Sequence, residues 1–368
     1  MEAVVLAAGK GERLKPFCRS KPKPLIKILD KPILSYVIRA LVKNNIRRIV
    51  FVLGHMQEVL SKFIKEESEV LDFKFEICIQ RKLLGTGDAL KEASKLIKGD
   101  KFLTVYGDLY FNPSIIRELI HFSEKKGFDT CLALVKKKEI GQFGLVEVNG
   151  EKVKRILEKP RERGEGLINT GIYLFNRRII EELSDVKLSE RGEYELTDAI
   201  TSLASKSLIG FIKISGSDWL DIGRPWDILE ACRLELKKRT FKIPFVKGSR
   251  IIPPVYIDST ARIGYGCVIG PYVSIGKNVE INGECIIKRT VVMDCSRIGS
   301  KSKISHSVIG EGCVLGSRVY TKTRLRKPVL IKTDGRKMFV KSRRIGAFIG
   351  DYATVPNFRN LSPAEVIF

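Results

Sequence analysis

The last third of the chain carries an aliphatic repeat with a period of six residues. One series holds Ile257, Ile263, Ile269, Ile275, Ile281, Ile287 and Met293. A second series, two residues earlier, holds Val255, Ala261, Cys267, Val273, Val279, Cys285 and Val291. Neither an α-helix nor an isolated β-strand gives this period, whereas six residues per face and three faces per coil are typical of a hexapeptide β-helix. The repeat therefore predicts a parallel β-helix over residues 241–368.

The repeat becomes irregular further along the chain. Its phase slips after Met293 and resumes near Ile298, Ile304, Ile309 and Leu315. Two basic stretches, 324–327 and 341–344, interrupt it and predict an insertion or an irregular coil.

Residues 1–240 follow a different pattern, which predicts a separate α/β domain. Short apolar segments such as AVVLAAG, RRIVFVLG and KFLTVYGD alternate with amphipathic segments such as KPILSYVIRALVKNN. This alternation predicts a parallel sheet covered by helices on both faces, with ligands beyond the carboxyl ends of its strands. From Thr130 the pattern shifts to hairpins, and Asn149-Gly150 is a turn signal, so the complete sheet is expected to be mixed.

The chain is strongly basic, with a formal net charge of +24. Residues 241–368 contribute 22 Lys and Arg against 8 Asp and Glu. Nucleic acid, a membrane surface or an anionic small substrate could each explain such a charge. The cations are not interleaved with aromatic residues, and no nucleic-acid-binding motif is present, which favours a basic surface rich in ion pairs.

Cysteine spacing and hydropathy indicate the compartment. The eight cysteines are scattered without a CxxC pair, which argues against a zinc site or a secreted disulfide framework. No apolar run approaches the ~20 residues of a membrane span, and no cleavage site follows the opening strand. We expect a soluble, cytoplasmic protein.

The first loop is a candidate site for anions. Gly9 and Gly11 follow the opening strand, and glycines let backbone N–H groups approach phosphates. The loop is neither a Walker loop nor GxGxxG, so an ordinary glycine turn is the alternative. Lys23 stands between prolines that restrict the backbone, although a solvated charge run would look the same.

Two aspartates end short apolar segments and are candidate ligands of Mg²⁺. Asp108 lies in YGDLY and Asp221 in WLDIG. Carboxylates suit this hard cation, but an aspartate after a strand is also a common turn or cap residue. Asp227 precedes a helical run and is better interpreted as its cap.

The motifs together resemble the sugar-1-phosphate nucleotidylyltransferases. LAAGKGERL, PKPL, LGTGDAL, YGD, EKP, NTGIYLF, EYELTDAI and WLDIGRPWD occur in the family's order over residues 1 to about 235. The hexapeptide tail resembles the left-handed β-helix of many members. Among them, the chain is most similar to archaeal N-acetylglucosamine-1-phosphate uridylyltransferases and glucose-1-phosphate thymidylyltransferases.

The resemblance implies a Mg²⁺-dependent reaction in which a sugar-1-phosphate attacks the α-phosphorus of a nucleoside triphosphate and pyrophosphate leaves. It implies that Gly9 and Gly11 wrap the nucleotide, while Arg13 and Lys23 contact its phosphates. It assigns the two magnesium positions to Asp108 and Asp221. The base-reading motif then comprises Gln80, Gly85, Thr86 and Asp88, with a departure from the family at Gly87.

The resemblance also implies a sugar site at Gly144, Glu158, Asn169 and Thr170, with Lys159 at the sugar phosphate. The nucleophile is already anionic and needs no base, which agrees with the absence of histidine from these motifs. UTP or dTTP, with glucose-1-phosphate or (N-acetyl)glucosamine-1-phosphate, are the substrates that the resemblance favours.

Two further functions stay open. Some relatives carry an acetyltransferase in the β-helix, and His306 resembles its base, although a surface histidine on a coil is the simpler interpretation. The favoured role of the β-helix is self-assembly, as a trimer or another homo-oligomer. A non-catalytic regulatory paralogue is the rival from another class, and the retention of Arg13, Lys23, Asp108 and Asp221 argues against it.

Overall fold

The structure is a computed structural model that describes residues 1–160, 164–333 and 336–368. The chain divides into two compact units. Met1–Lys10 and Ile33–Asp221 form the first, named the sheet unit. Gly11–Pro32 and Ile222–Phe368 form the second, named the coil unit. The domain boundary near residue 240, drawn from the change in sequence pattern, stays a prediction.

The sheet unit is built on strands that alternate with helices. Its strands are β1 (Glu2–Ala7), β4 (Arg48–Leu53), β5 (Lys74–Ile79), β6 (Lys101–Tyr106), β7 (Leu109–Phe111), β8 (Thr130–Lys137), β9 (Gly144–Asn149), β10 (Lys152–Glu158), β11 (Gly166–Asn176), β12 (Ile209–Ile214) and β13 (Trp219–Asp221). Its helices are α1 (Ile33–Lys43), α2 (Gln57–Leu71), α3 (Thr86–Ala93), α4 (Ser114–Lys126), α5 (Arg178–Asp185) and α6 (Leu196–Lys206), with a short 3₁₀ turn at Ser94–Leu96.

Nine of these strands form one mixed sheet in the order β5-β4-β1-β6-β11-β8-β12-β10-β9. The first four are parallel, and β1 is buried along its whole length because its apolar side chains are covered on both faces. β11 then runs antiparallel to β6 and β8. The predicted hairpin is confirmed, since β9 and β10 pair around the Asn149-Gly150 turn. The remaining strands, β7 and β13, form a separate antiparallel ribbon.

The carboxyl ends of β1, β5 and β6 meet at one edge of the sheet because these strands share one parallel layer. Gly9 follows β1, Gln80 follows β5 and Asp108 follows β6. Three residues that are distant in sequence are thereby brought to the edge where ligands bind in parallel α/β sheets.

The coil unit consists mainly of very short strands. They are β2 (Lys27–Ile28), β3 (Lys31–Pro32), β14 (Arg250–Ile251), β15 (Val255–Ile257), β16 (Arg262–Ile263), β17 (Val268–Ile269), β18 (Val273–Ile275), β19 (Glu280–Ile281), β20 (Ile286–Lys288), β21 (Val291–Val292), β22 (Arg297–Ile298), β23 (Lys303–Ser305), β24 (Val308–Ile309), β25 (Val314–Leu315), β26 (Tyr320–Thr321), β27 (Val329–Thr333), β28 (Arg336–Val340), β29 (Phe348–Ile349), β30 (Thr354–Val355), β31 (Asn360–Leu361) and β32 (Val366–Ile367). Helix α7 (Pro225–Lys238) and 3₁₀ helices at Glu12–Phe17 and Lys23–Leu25 complete the unit.

Three parallel sheets of six, six and five strands form a β-helix around a buried aliphatic core, which confirms the predicted architecture and is consistent with a left-handed coil. One prediction about its phase is wrong by one residue. Ile257 pairs with Ile275 as expected, but Ile275 pairs with Val292 and not with Met293. The corner at 288–290 is one residue shorter than its predecessors, so the slip occurs before Met293, not after it.

Small polar residues fill part of the β-helix interior. Thr290, Ser296, Ser302 and Ser307 are fully buried. Their hydroxyl groups donate to backbone carbonyls, as Ser296 does to Gly310 O at 2.7 Å. These bonds satisfy groups whose burial would otherwise be costly.

The predicted insertion is confirmed as a hairpin. β27 and β28 pair with each other, while β24 pairs with β29 and β26 with β31 across the interruption. The hairpin packs against the 3₁₀ helix Glu12–Phe17.

Helix α7 is capped by Asp227, as predicted, but the residue lies inside the first turn and does not precede the helix. Its Oδ2 accepts the N–H groups of Gly223 at 3.2 Å and Arg224 at 2.8 Å. In the described part of the chain, no helix has the length and apolar character needed to span a membrane.

Candidate active site

Gln80 fixes the loop that leads from β5 into α3. Its Nε2 donates to Gly85 O at 3.0 Å and to Asp88 Oδ2 at 2.7 Å, and its side chain is buried. Gly85 has a φ of +104°, and a Cβ there would lie 2.7 Å from Tyr194 O, so the tight turn requires glycine. Gln80 thus holds together three residues of the predicted base-reading motif, namely itself, Gly85 and Asp88.

The close packing around position 87 explains why this residue is a glycine. A Cβ at this position would lie 2.8 Å from Tyr194 O, which accepts the N–H of Gly87 at the same distance. The departure from the family pattern at this position therefore accompanies a close approach between α3 and the segment before α6.

A chain of hydroxyl groups connects this loop to β11. Asn169 Nδ2 donates to the Tyr173 hydroxyl at 2.6 Å, and that hydroxyl donates to Tyr106 at 3.2 Å. Tyr106 in turn is hydrogen-bonded to Thr86. Burial raises the pKa of both tyrosines well above the ordinary value, so they stay neutral and serve as hydrogen-bonding groups.

Gly144, Glu158 and Asn169 lie together, as expected for a shared ligand site. Gly144 and Glu158 are opposite each other on β9 and β10. A Cβ on Gly144 would lie 3.1 Å from Glu158 Oε2 and 3.4 Å from Asn169 Cβ. Thr170 differs, because its hydroxyl donates to Ala133 O at 2.6 Å within the sheet and its carbonyl accepts Trp219 Nε1 at 3.0 Å.

Two cations flank the Glu158 carboxylate. Lys159 Nζ is 3.9 Å and an Arg191 nitrogen 3.5 Å from its Oε1. Burial, and then the Arg191 charge, lower the pKa of Lys159. A phosphate placed beside Lys159 would favour its protonated form again, which is the electrostatic behaviour of an anion-binding lysine.

The β7–β13 ribbon brings the backbones of Asp108 and Asp221 to neighbouring positions. Asp221 pairs with Leu109, the residue after Asp108. Both side chains are half-buried. Two carboxylates suit Mg²⁺, which binds through one or two protein carboxylates together with phosphate oxygens and water. Within residues 1–160, 164–333 and 336–368 there is no cluster of three or more metal-ligating side chains, so these residues fit a substrate-bound Mg²⁺ better than an all-protein cage.

The other predicted phosphate ligands belong to the coil unit. Lys23 is 7% exposed and begins the 3₁₀ helix Lys23–Leu25 directly after Pro22. Gly11 has a φ of +66°, and a Cβ there would lie 2.8 Å from Lys23 Cβ. Arg13 is half-buried in the 3₁₀ helix Glu12–Phe17. In the sheet unit, Gly9 is exposed.

Comparison with known proteins identifies the family. The nucleotidyl transferase model matches residues 2–238, and the GMPPB C-terminal domain model matches residues 251–355. The chain belongs to the nucleotidyl transferase family.

Relatives cover almost the whole chain. The bifunctional protein GlmU of Methanococcus maripaludis is 33% identical over 95% of this chain and 88% of its own length. A bifunctional sugar-1-phosphate nucleotidylyltransferase/acetyltransferase of Sulfurisphaera tokodaii is 33% identical over 96% of this chain and 90% of its own. A solved UDP-glucose pyrophosphorylase shares the fold, with a TM-score of 0.58 at 23% identity over 65% of this chain and 99% of its own.

In this nucleotidyl transferase the structure adds residues that the sequence analysis did not single out. Arg191 binds Glu158, Glu193 and Glu195, and Thr197 Oγ1 donates to Glu158 Oε2 at 3.3 Å. Glu195 and Thr197 lie in the motif EYELTDAI, one of the motifs that carry the family resemblance. The Tyr106–Tyr173 pair cannot be recognised from the local sequence, because the contact joins strands that are distant in the chain.

His306 in this nucleotidyl transferase is half-buried on a coil of the β-helix. Both of its ring nitrogens are buried and lack a hydrogen-bond partner among the described residues. Burial, followed by the charges of Arg289 and Arg344, lowers its pKa. The imidazole is therefore mainly neutral at pH 7, the form that accepts a proton.

Proposed function

We propose that this enzyme joins a nucleoside triphosphate to a sugar-1-phosphate, forming a nucleoside-diphosphate sugar and pyrophosphate. The observation that carries the proposal is the neighbouring position of Asp108 and Asp221 after β6, in the same unit as the Gln80 loop and the Gly144–Glu158–Asn169 cluster. The reaction needs a site for a base, a site for a sugar and a site for metal-bound phosphates. The Gln80 loop, the Gly144–Glu158–Asn169 cluster and the two aspartates match these three needs in that order.

The chain's own residues supply binding, orientation and charge. In this mechanism Gln80, Gly85, Thr86 and Asp88 hold the base and Glu158 with Asn169 holds the sugar. Lys159 positions the sugar phosphate, whose oxygen attacks the α-phosphorus while the bond to pyrophosphate breaks. Arg13 and Lys23 bind the triphosphate. Because the nucleophile is already ionised, orientation and electrostatic stabilisation account for the catalysis.

Mg²⁺ held by Asp108 and Asp221 would supply positive charge to the phosphate oxygens. The half-buried carboxylates of the ribbon support this assignment. We propose UTP or dTTP as the nucleotide and glucose-1-phosphate or (N-acetyl)glucosamine-1-phosphate as the sugar, on the resemblance of the LAAG and EYELTDAI motifs to those branches.

The test is pyrophosphate release from purified protein with Mg²⁺, all common nucleoside triphosphates and a panel of sugar-1-phosphates. We expect release with at least one pair, and we expect Asp108→Ala to lower the rate by ~10² or more. Asp100→Ala is the matched control, since this exposed aspartate flanks the other end of the same strand, β6. Release with no pair would favour the regulatory rival, and normal turnover by Asp108→Ala would remove Asp108 from the metal site.

A second activity, acetyl transfer in the β-helix, is favoured by His306. A half-buried, mainly neutral imidazole whose ring nitrogens have no hydrogen-bond partner among the described residues is suited to take a proton from an amine as it attacks an acetyl thioester. The new bond joins nitrogen to the acetyl carbon, the carbon–sulfur bond breaks, and the thiol leaves. The Sulfurisphaera tokodaii relative is named for both activities.

Acetyl-coenzyme A with glucosamine-1-phosphate tests this second activity. We expect thiol release from the wild type, loss of it in His306→Ala, and unchanged pyrophosphate release in both proteins. Thiol release that His306→Ala does not reduce would contradict the role of His306.

A further inference from the structure

One corner of the β-helix carries a ladder of carboxylates. The carboxylates belong to Asp294, Glu311 and Asp351. Each of these residues lies two positions after a strand residue, which is Val292, Ile309 or Ile349 respectively. These three strand residues pair in register from one coil to the next. The three side chains therefore occupy equivalent positions in three successive coils. We call them the corner ladder.

The corner ladder receives lysines from the phosphate-loop segment, Gly11–Pro32, which belongs to the same compact unit. Lys27 forms an ion pair with Asp294, and Lys21 forms one with Glu311. Lys21 is also 3.4 Å from Asp351, whose side chain is fully buried. The Lys21–Asp351 pair is well shielded from solvent, so salt screens it little, and breaking it leaves a buried charge uncompensated.

Hydrogen bonds also hold the phosphate-loop segment against the β-helix. The Asp351 N–H donates to Pro16 O at 2.7 Å, and the Ser20 hydroxyl donates to Asp351 Oδ2 at 3.3 Å. A Cβ on Gly350 would lie 2.7 Å from Pro16 O, so the approach is too close for a side chain there. Asp351 Oδ1 accepts the Glu311 N–H at 2.9 Å, which orients the carboxylate.

These contacts surround the residues to which we assign triphosphate binding. Pro16 lies in the last turn of the 3₁₀ helix that contains Arg13, and Lys21 is two residues before Lys23. We propose that the β-helix positions the phosphate-loop segment through the corner ladder, with Asp351 as the principal positioning residue. The catalytic part of this inference rests on the proposed function, whereas the structural part does not.

Cys18 provides a readout that needs no activity. It is 7% exposed in the middle of the segment, and burial raises its pKa to about 12. Release of the segment would expose the thiol and return its pKa toward the ordinary value of about 8.5, so alkylation would accelerate strongly. Cys285, fully buried in the core of the β-helix, reports unfolding of the coil unit in the same sample.

The experiment compares wild type with Asp351→Asn and with Asp351→Asn/Glu311→Gln, using iodoacetamide and peptide mapping by mass spectrometry. We expect Cys18 to be alkylated about tenfold faster in the double variant, with Cys285 unchanged, and the KM for the triphosphate to rise about tenfold. Lys21→Gln, which leaves the β-helix intact, should reproduce both effects.

Glu280→Gln is the matched control, because it breaks an exposed β-helix ion pair with Arg297 and should change neither readout. Wild-type rates of Cys18 alkylation in folded Asp351→Asn/Glu311→Gln and Lys21→Gln would overturn the inference. Faster alkylation with an unchanged KM would overturn its catalytic part. An inactive wild type whose Cys18 alkylation still depends on Asp351 would refute the proposed function but support the structural part.

Discussion

At the scale of single residues, the site depends on close approaches that only glycine permits. Gly11 combines a left-handed backbone with a Cβ position 2.8 Å from Lys23 Cβ. Gly127, at the end of α4, has a similar φ of +72°, but a Cβ there would meet nothing within 4 Å. Comparing substitutions at Gly11 and Gly127 therefore separates the effect of backbone strain from the effect of displacing Lys23.

We predict that Gly11→Ala lowers kcat by ~10², because Lys23 must move from its position. Gly127→Ala should lower only the thermal midpoint, since a left-handed alanine costs about 1–2 kcal/mol. Steady-state kinetics and thermal unfolding of both variants test this. Equal kinetics for Gly11→Ala and Gly127→Ala would contradict the role assigned to the Gly11–Lys23 approach.

The lowered pKa of Lys159 predicts that kcat/KM depends on pH. Its pKa is lowered by burial and by Arg191, and its protonated form binds the sugar phosphate, so kcat/KM for the sugar-1-phosphate should fall as the pH rises. The fall should begin below the ordinary lysine pKa of about 10.4. In Lys159→Arg the alkaline limb should move to higher pH, and in Lys136→Arg, an exposed control, it should not move. An alkaline limb that survives in Lys159→Arg would exclude this lysine as its cause.

At the scale of elements, the β-helix is specified by its core and by buried hydroxyl groups. Ser302 Oγ donates to Gly316 O at 3.3 Å and accepts the N–H of Val319 at 3.1 Å. Ser302→Ala would leave that buried N–H without this partner, which costs about 1–3 kcal/mol.

Urea unfolding of Ser302→Ala should show this loss of stability. Ser259→Ala, at an exposed corner of the same β-helix, should change the free energy of unfolding by less than about 0.5 kcal/mol. An equal effect of the two substitutions would mean that the buried hydroxyl does not stabilise the coil.

The elements also show where sequence reasoning succeeds. The six-residue step predicted the coils because each aliphatic residue points into one core. It misplaced Met293, because a corner shorter by one residue leaves no composition signal. The clustering of Gly144, Glu158 and Asn169 followed from family motifs, whereas Arg191 and the Tyr106–Tyr173 pair depend on contacts between distant segments. The corner ladder was equally hidden, since its carboxylates are equivalent only once the coils are in register.

At the scale of the whole molecule, the chain crosses three times between its two compact units, the last time between Asp221 and Ile222. Lys10 and Gly11 mark the first crossing, Pro32 and Ile33 the return, and the intervening segment carries Arg13 and Lys23. The residues assigned to the base, sugar and metal all belong to the sheet unit. The β-helix thus contributes to catalysis in this account through the segment it holds, in addition to the self-assembly proposed for it.

The central claim is transfer of a nucleotidyl group to a sugar phosphate, and a labelled triphosphate tests it most directly. With the α-phosphorus labelled by ³²P, the account predicts that the label enters a nucleoside-diphosphate sugar, with one pyrophosphate released per labelled product. It also predicts that Asp221→Asn lowers both signals together. Label recovered as nucleoside monophosphate or diphosphate, or no transfer with any sugar-1-phosphate, would contradict the account.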